Sequence, residues 1–215
     1  MLDRRFLFLA APLALVAVPL LAQMPTEAPG KPDRTRVAAG TYKLDSGHTL
    51  IGWRVDHLGF SDYFGVFGDS TGTLVLDPKN PAAAKVEVTI PVSKVLTASP
   101  GLNAHLLRPG KEGGKADFFG AAPADAKFVS TKVTPGKDGM SASILGNLTL
   151  NGQTHPVTIA AKFKGAGAMP MAGAKPTFGF QGKATILRSQ WGIMGGLPLV
   201  SDKVELDISA PFERQ

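Results

Sequence analysis

Apolar and polar residues alternate along most of the chain from Thr41 to its end. Within 50–57, Ile51, Trp53 and Val55 occupy every second position and are separated by Gly, Arg and Asp. Successive side chains of a β-strand point to opposite faces, so this period predicts a strand with one buried face. Together with 42–57, seven further segments show the same pattern and predict eight strands: 65–77, 85–92, 127–134, 141–150, 155–163, 177–187 and 203–212.

Residues typical of turns separate these segments and favour an antiparallel, up-and-down order. Asp138-Gly139 and Asn151-Gly152 are predicted to form two-residue hairpin turns, because both central residues of a type I′ turn need a positive φ. Helical patterns are too few to cover the edges of an open sheet. We therefore expect either two packed sheets or one closed barrel, and periodicity alone does not separate the two.

One segment without alternation, 98–122, lies between the third and fourth predicted strands. It contains a predicted helical turn around 102–107 and a glycine-rich insert. Long loops in compact domains are typically lids, binding loops or disordered inserts. Phe118 and Phe119 argue against disorder in the second half of this excursion.

The N-terminus predicts export from the cytoplasm. Residues 1–22 combine a short basic start, an apolar run and a small residue at the end, as in a secretory signal peptide. Pro12 and Pro19 interrupt the run, which argues against a membrane anchor. Residues 23–40 are rich in Pro, Gly and charge and predict a flexible leader with no fold of its own. The folded domain is expected over 41–212.

Composition and motifs restrict the possible functions. The chain has no cysteine, so a hydrophobic core must supply its stability. Its net charge is +6, but the basic residues are scattered singly, which disfavours a nucleic-acid-binding surface. The four histidines lack the spacing of metal ligands, and no known catalytic motif is present. We expect no enzyme activity, metal or cofactor.

The size of the inward-facing residues raises the possibility of a hollow barrel. Small residues are expected on the inward face at Ala142, Gly146, Ala160, Ala161, Gly179, Gly182 and Ala184. Bulky aromatic residues are interleaved with them, and together they predict an apolar channel that holds one small ligand. Small residues also occur on outer faces and at bends, which would leave the core filled. The residues alone leave both alternatives open.

A set of local motifs carries a resemblance to a known family. In chain order they are Y-x-L-D-x-x-H-T at 42–49, V-x-H-L-G at 55–59, G-x-F at 65–67, N-A-H-L-L-R at 103–108, A-D-F-F at 116–119, G-N-L-T-L-N-G-Q-T-H-P-V at 146–157 and R-S-x-W-G at 188–192. Their order and spacing resemble the YceI-like family of bacterial periplasmic proteins over roughly 41–212. The glycine-rich stretch at 109–115 departs from the family pattern.

The resemblance implies an all-β fold, an extended, lipocalin-like antiparallel barrel of eight strands. It also implies binding, sequestration or transport of an isoprenoid lipid of quinone or polyprenyl type in the periplasm. The alternative is a secreted stress-protective or protein-interaction module with a filled barrel and no lipid. A transient membrane contact is compatible with the first hypothesis. Monomer and homodimer both stay open.

Candidate ligand-binding residues are mainly aromatic. Those expected on the inner wall are Trp53, Phe67, Phe128, Phe163, Phe178 and Phe180. Phe118 and Phe119 are expected to close the barrel end or to contact ligand. Trp191 is expected to cap the core, with ligand contact as the alternative.

Three polar residues complete the candidate site. His48 follows a turn in which Asp45 is predicted to accept backbone hydrogens, and the histidine either supports that turn or contacts a ligand headgroup. His105 lies in the excursion, which borders the barrel mouth in the resembling family. Arg188 is placed with Trp191 at a strand end, and a guanidinium suits a phosphate or quinone oxygen.

Overall fold

The computed structural model describes residues 26–215, and the predicted signal peptide at 1–22 lies outside them. The chain forms eleven strands and one short α-helix. The strands are β1 (Gly40–Leu44), β2 (Leu50–His57), β3 (Ser61–Phe67), β4 (Thr71–Leu76), β5 (Lys85–Ile90), β6 (Val95–Leu96), β7 (Ala126–Pro135), β8 (Ser141–Leu150), β9 (Gln153–Gly167), β10 (Thr177–Leu187) and β11 (Lys203–Arg214). The helix α1 spans Pro100–Leu106. Short 3₁₀ turns occur at Arg34–Arg36, Pro81–Ala83, Val92–Lys94, Lys111–Gly113 and Arg188–Trp191. In this part of the chain no helix is long and apolar enough to cross a membrane.

The strands close into a single antiparallel barrel. Its hydrogen-bonded order is β1-β4-β5-β7-β8-β9-β10-β11, and β1 also pairs with β11. β2 follows β1 along the same position of the barrel, since both pair with β11. β3 and β4 together occupy the next position, since β3 pairs with β2 and β4 pairs with β1. β1 with β2, and β3 with β4, each form one long, bent strand. The barrel therefore has eight strand positions. The predicted eight-stranded antiparallel barrel is confirmed, and closure leaves no long exposed sheet edge around the ring.

Local hydrogen bonds explain the first bend. The Oδ1 of Asp45 accepts the N–H of Gly47 at 3.1 Å, and the hydroxyl of Thr49 donates to the carbonyl oxygen of Asp45 at 2.6 Å. This side-chain turn interrupts the ladder between β1 and β2. The prediction that Asp45 accepts backbone hydrogens is confirmed.

The two predicted hairpin turns differ from one another. Asn151 and Gly152 have φ values of 50° and 75°, as a type I′ turn requires. At the other site only Gly139 has a positive φ. The Oδ1 of Asp138 instead accepts the Ser141 hydroxyl and the N–H groups of Met140 and Ser141, which together hold the pKa of Asp138 below its ordinary value. The prediction of a type I′ turn at 138–139 is therefore wrong, because this side chain organises a longer loop.

The excursion lies between β6 and β7 and contains the expected helical turn. Ser99 caps α1 by accepting the N–H of Leu102 at 3.3 Å. The backbone N–H of Phe119 donates to the carbonyl oxygen of Leu106, so the end of the excursion returns to the helix. This contact places Phe118 and Phe119 at one end of the barrel, against the core that contains Trp191 and Ile193.

The end of the barrel near turn 151–152 is packed solid. We call its core the end plug, which includes Val92, Phe118, Phe119, Trp191 and Ile193. Trp191 is fully buried, and its indole Nε1 donates to the carbonyl oxygen of Leu148 at 3.1 Å. The end plug closes this end of the barrel.

A second packed group lies toward the opposite end. This aromatic cluster consists of Tyr42, Phe163, Phe178, Phe180 and Phe212. Edge-to-face contacts hold it together, with ring centroids 4.5 Å apart for Tyr42–Phe178 and 5.6 Å apart for Phe178–Phe180. The cluster occupies one side of the barrel and leaves the other side open.

The described part of the leader packs against this second end. Lys31 and Ala166 exchange backbone hydrogen bonds of 3.0 and 2.8 Å, and the side chain of Val37 is buried. The hydroxyl of Tyr42 donates to the carbonyl oxygen of Ala38 at 2.6 Å. Residues 31–38 therefore have a defined structure, in contrast to the expected leader with no fold of its own. The polar composition of 23–40 does not reveal the few contacts that bind it to the barrel.

Candidate functional site

A cavity of about 390 Å³ lies inside the barrel between the end plug and the opposite end. This volume falls within the range of pockets that hold small ligands. The filled barrel that was the alternative prediction is therefore not what the structure shows. The barrel encloses a space in which its inward side chains do not meet.

Aliphatic and small residues form most of the cavity wall. The strand residues among them include Leu44, Ile51, Leu74, Val86, Val88, Ile90, Val133, Ala142, Ile144, Leu148, Val157, Ile159, Ala161, Gly182, Ala184, Leu206, Ile208 and Ala210. The register places Ala161 opposite both Ala142 and Gly182, so three small residues from adjacent strands meet in one row. This row creates space because none of the three side chains extends far into the barrel.

Not every predicted small position faces inward. Ala142, Ala161, Gly182 and Ala184 line the cavity. Ala160 is exposed on the outer face, since it neighbours the inward Ala161 in the same strand. Gly146 is buried on the inward face, but the ring of Phe128 covers it, so it does not line the cavity. Gly179 is also absent from the cavity lining.

The cavity reaches solvent at the barrel end opposite the end plug. Three segments surround this mouth: the leader at 34–37, the connection at 78–84 and the hairpin at 135–141. Arg34 and Pro135 line the cavity and are themselves exposed. The cavity is therefore open to solvent at this end of the barrel.

The chemistry of the wall is almost entirely apolar. Arg34 is the only residue with an ionisable side chain among those that line the cavity within 26–215. Thr49 also lies on the wall, but its hydroxyl already donates to the Asp45 carbonyl oxygen. In the same described region, no group of three or more His, Asp or Glu residues is arranged to hold a metal ion. Ser141 and Gln181 are the other polar residues in the described part of the lining, and neither is charged. The site is therefore suited to a long apolar group.

Of the twelve candidate ligand-binding residues, three line the cavity. These are Phe128, Phe163 and Phe180. Phe163 and Phe180 form an edge-to-face pair with centroids 5.8 Å apart on the wall nearest the aromatic cluster. Phe178 belongs to that cluster but is not part of the wall. Ligand contact by these residues stays a prediction.

Six other candidates lie at or against the end plug. They are Trp53, Phe67, Phe118, Phe119, Arg188 and Trp191. Phe67 packs edge-to-face on Phe119 at 5.8 Å, and the guanidinium carbon of Arg188 lies 5.9 Å from the ring centre of Phe118. The structure places all six away from the cavity wall, so they set the depth of the cavity.

Arg188, one of these six residues, is hydrogen-bonded to backbone carbonyl oxygens. Its Nε, Nη1 and Nη2 donate to the carbonyl oxygens of Ser201, Ile193 and Val200, each at 2.9 Å. Burial lowers the pKa of the Arg188 guanidinium, and the nearby Asp202 carboxylate opposes that shift. The guanidinium thus holds the loop after β10 together and does not line the cavity.

The two histidine candidates lie on the exterior. His48 is largely exposed, and its Nδ1 is 2.7 Å from the Oδ2 of Asp45, which agrees with a role in the turn. The Nε2 of His105 lies 3.4 Å from the Oδ2 of Asp117, and Arg108 donates to that same oxygen at 2.8 Å. The hydrogen bonds from Arg108 and His105 lower the pKa of Asp117. This exposed group lies on the excursion, at the closed end of the barrel and not at its mouth.

Sequence reasoning missed the aliphatic wall and Arg34. The wall residues share the inward phase of their strands, so the alternation itself contained the signal. Arg34 lies in the leader, which the sequence predicted to be unstructured. No local pattern marks it as a cavity residue.

The region of the chain that matches a known protein family has nearly the same boundaries as the barrel. The model of the YceI-like domain matches residues 42–212. The chain belongs to the YceI-like family. The matched YceI-like domain begins within β1 and ends within β11, so it includes the whole barrel and excludes the leader.

Individual relatives agree with this assignment. A UPF0312 protein of Pseudomonas paraeruginosa is 42% identical over 181 residues, covering 82% of this chain and 88% of its own. The crystal structure of Burkholderia cenocepacia BcnA superposes with a TM-score of 0.65 at 22% identity, covering 78% of this chain and 98% of that one. A polyisoprenoid-binding domain from Saccharophagus degradans, implicated in plant cell wall breakdown, has a TM-score of 0.55 at 13% identity and covers 81% and 98%. The two structures share the fold of this YceI-like chain.

Proposed function

We propose that this protein binds an isoprenoid lipid, of quinone or polyprenyl type, with the isoprenoid tail inside the barrel. The observation that carries the proposal is the apolar cavity of about 390 Å³ that opens at one end of the barrel. A branched hydrocarbon chain needs no hydrogen-bond partner. Beyond Arg34 at the mouth, the described part of the wall contains no residue with an ionisable side chain. The shape and the chemistry of the cavity suit the same class of molecule.

Burial of the tail supplies the affinity. Removing apolar surface from water contributes roughly 25 cal/mol per Å². The cavity is already formed by the barrel strands, so little side-chain freedom is lost when a ligand enters. The description of the Saccharophagus degradans domain as polyisoprenoid-binding supports the same ligand class on the same fold.

We further propose that the protein acts in the periplasm after export and sequesters or carries its lipid there. A predicted signal peptide at 1–22 supports export. A closed barrel shields an isoprenoid chain from water, which is the requirement for moving such a molecule through an aqueous compartment. Loading through the mouth then requires a transient contact with a membrane.

Blocking the cavity from within tests the proposal. Replacing Ala161 with Phe places a benzyl group at the centre of the row of small residues. Each buried CH₂ is worth about 0.8 kcal/mol, so displacing a few isoprenoid carbons should weaken binding about tenfold or more. The measurement is titration with a fluorescent prenyl probe, together with native mass spectrometry of protein purified from its own periplasm.

Ala160→Phe is the matched control. Ala160 precedes Ala161 in β9 but lies on the outer face, so the same benzyl group points to solvent. Probe binding should stay within about twofold of the unchanged protein. Unaltered binding in Ala161→Phe, or an absence of lipid and probe binding in the unchanged protein, would contradict the proposed function.

A further inference from the structure

One basic side chain lies at the cavity mouth. Among residues 26–215, Arg34 is the one ionisable residue that lines the cavity. Its guanidinium lies against Gly139 in the hairpin at 135–141. A Cβ atom built on Gly139 would lie 3.1 Å from both the Cζ and the Nη1 of Arg34. A molecule with its tail in the barrel therefore has its outer end next to this cation.

The backbone that carries Arg34 is held in place. Asp33 caps the short 3₁₀ turn by accepting the N–H and the hydroxyl of Thr35 at 2.9 and 2.6 Å. The N–H of Val37 donates to the Arg34 carbonyl oxygen, and the Val37 side chain is buried on the cavity wall. The backbone at Arg34 is thus positioned before a ligand arrives, which lowers the part of the entropic cost of binding that comes from ordering this segment.

No acidic partner neutralises this guanidinium among residues 26–215. Arg34 forms no ion pair there, whereas its neighbour Arg36 pairs with Asp33 at 3.5 Å. Asp138 lies beside Gly139 in the chain, but its carboxylate forms no ion pair with Arg34, and its Oδ1 accepts three hydrogen bonds within its own turn. The positive charge of Arg34 is therefore available to a ligand.

The rest of the cavity determines where a charged end group would bind. Burying an unpaired charge in an apolar wall is strongly unfavourable, so an ionic headgroup stays at the mouth while the tail fills the barrel. At the mouth, a guanidinium presents paired N–H donors that match the oxygens of a phosphate or carboxylate.

We propose that the preferred ligand is an isoprenoid amphiphile with an anionic end group, and that Arg34 binds this group. The inference rests on the proposed function and adds the charge of the headgroup to it. Arg34 lies outside residues 42–212, which match the YceI-like domain. The headgroup preference is therefore a property of this chain's leader, whereas the barrel supplies the tail site.

Three ligands with the same tail test this inference. Geranylgeranyl monophosphate, geranylgeranoic acid and the neutral alcohol geranylgeraniol are titrated, below their aggregation concentrations, by displacement of a fluorescent prenyl probe. The unchanged protein should prefer the two anionic ligands to the alcohol by about tenfold at low salt, and the preference should fall in high salt. In Arg34→Gln the ratio should fall to about one to threefold, with affinity for the alcohol unchanged within twofold.

Arg36→Gln is the matched control and should keep the tenfold preference, because Arg36 does not line the cavity. Arg34→Glu should favour the alcohol. Binding of the phosphate but not the acid would identify phosphate as the end group, and equal binding of both would show that charge alone is recognised; either result supports the inference. Equal affinity for all three ligands in the unchanged protein would overturn it and leave the proposed function standing. Failure to bind any of the three would instead remove the proposed function.

Discussion

Replacing Trp191 with Ala should lower the free energy of unfolding by about 3–5 kcal/mol, the usual cost of truncating a large buried aromatic residue. The Trp191 side chain has no exposed surface, and it packs edge-to-face on His155 at 5.1 Å. Its loss would also leave the Leu148 carbonyl oxygen without the indole donor. Urea denaturation followed by circular dichroism measures the change.

Two comparison variants isolate the cause. Phe60→Ala removes an aromatic ring that is 88% exposed and should change stability by less than about 0.5 kcal/mol. Trp191→Phe keeps most of the packing but loses the N–H donor, so an intermediate loss of about 1–3 kcal/mol is expected. A loss below about 1 kcal/mol in Trp191→Ala would show that the end plug does not depend on this side chain.

The second large effect is expected for Arg188→Met. Methionine has a long apolar side chain but cannot donate to the three carbonyl oxygens that the guanidinium now satisfies. The hydrogen bond to Ile193 is buried and the other two are partly buried. A buried acceptor left without a donor costs about 1–3 kcal/mol and a partly buried one costs less, so a total of about 3–5 kcal/mol is expected. Thermal unfolding measures this loss, and limited proteolysis should show new cleavage within 192–201.

Arg36→Met provides the matched surface substitution. Arg36 is about half exposed, and its ion pair with Asp33 is worth at most about 1 kcal/mol. Arg188→Lys retains the charge but replaces a planar fork of donors with a single ammonium, and it should recover only part of the loss. If Arg188→Met were as stable as the unchanged protein, the loop after β10 would not depend on these three hydrogen bonds.

These predictions separate the two ends of the barrel. Trp191 and Arg188 act in the end plug and do not themselves line the cavity, so their variants should alter stability while any folded molecules keep their affinity for a prenyl probe. Ala161 and Arg34 act on the cavity and its mouth, so their variants should alter binding while the fold is kept. Measuring both quantities for all four positions tests this division of roles.

Most of the fold was predictable because strand alternation is a local property. The pleat of a strand alone decides that residues such as Ile51 and Ile144 point inward, whichever strand lies beside it. The type I′ turn at Asn151 was also predictable, since positive φ at both positions favours Asn and Gly strongly. Asp138 departed from this rule because its carboxylate found backbone donors in a longer turn, a contact that the dipeptide does not specify.

The candidate site was less predictable. The aromatic residues were expected to line a channel, but large rings gain most by packing on one another, and Phe67, Phe178 and Trp191 do so in the end plug and the aromatic cluster. Space inside the barrel arises where side chains are short, as in the row that includes Ala161. Which aromatic residues contact a cavity depends on register and on which strands face each other across it.

The sequence by itself determined the strand period, the eight strand positions and the excursion between β6 and β7, because these depend on residues close together in the chain. The order and spacing of its motifs determined the family. Only the tertiary structure decided that the centre is hollow, that Trp191 and Arg188 close one end, and that the leader places Arg34 at the other. These features depend on distances between side chains from distant segments, and such distances are set when the barrel closes.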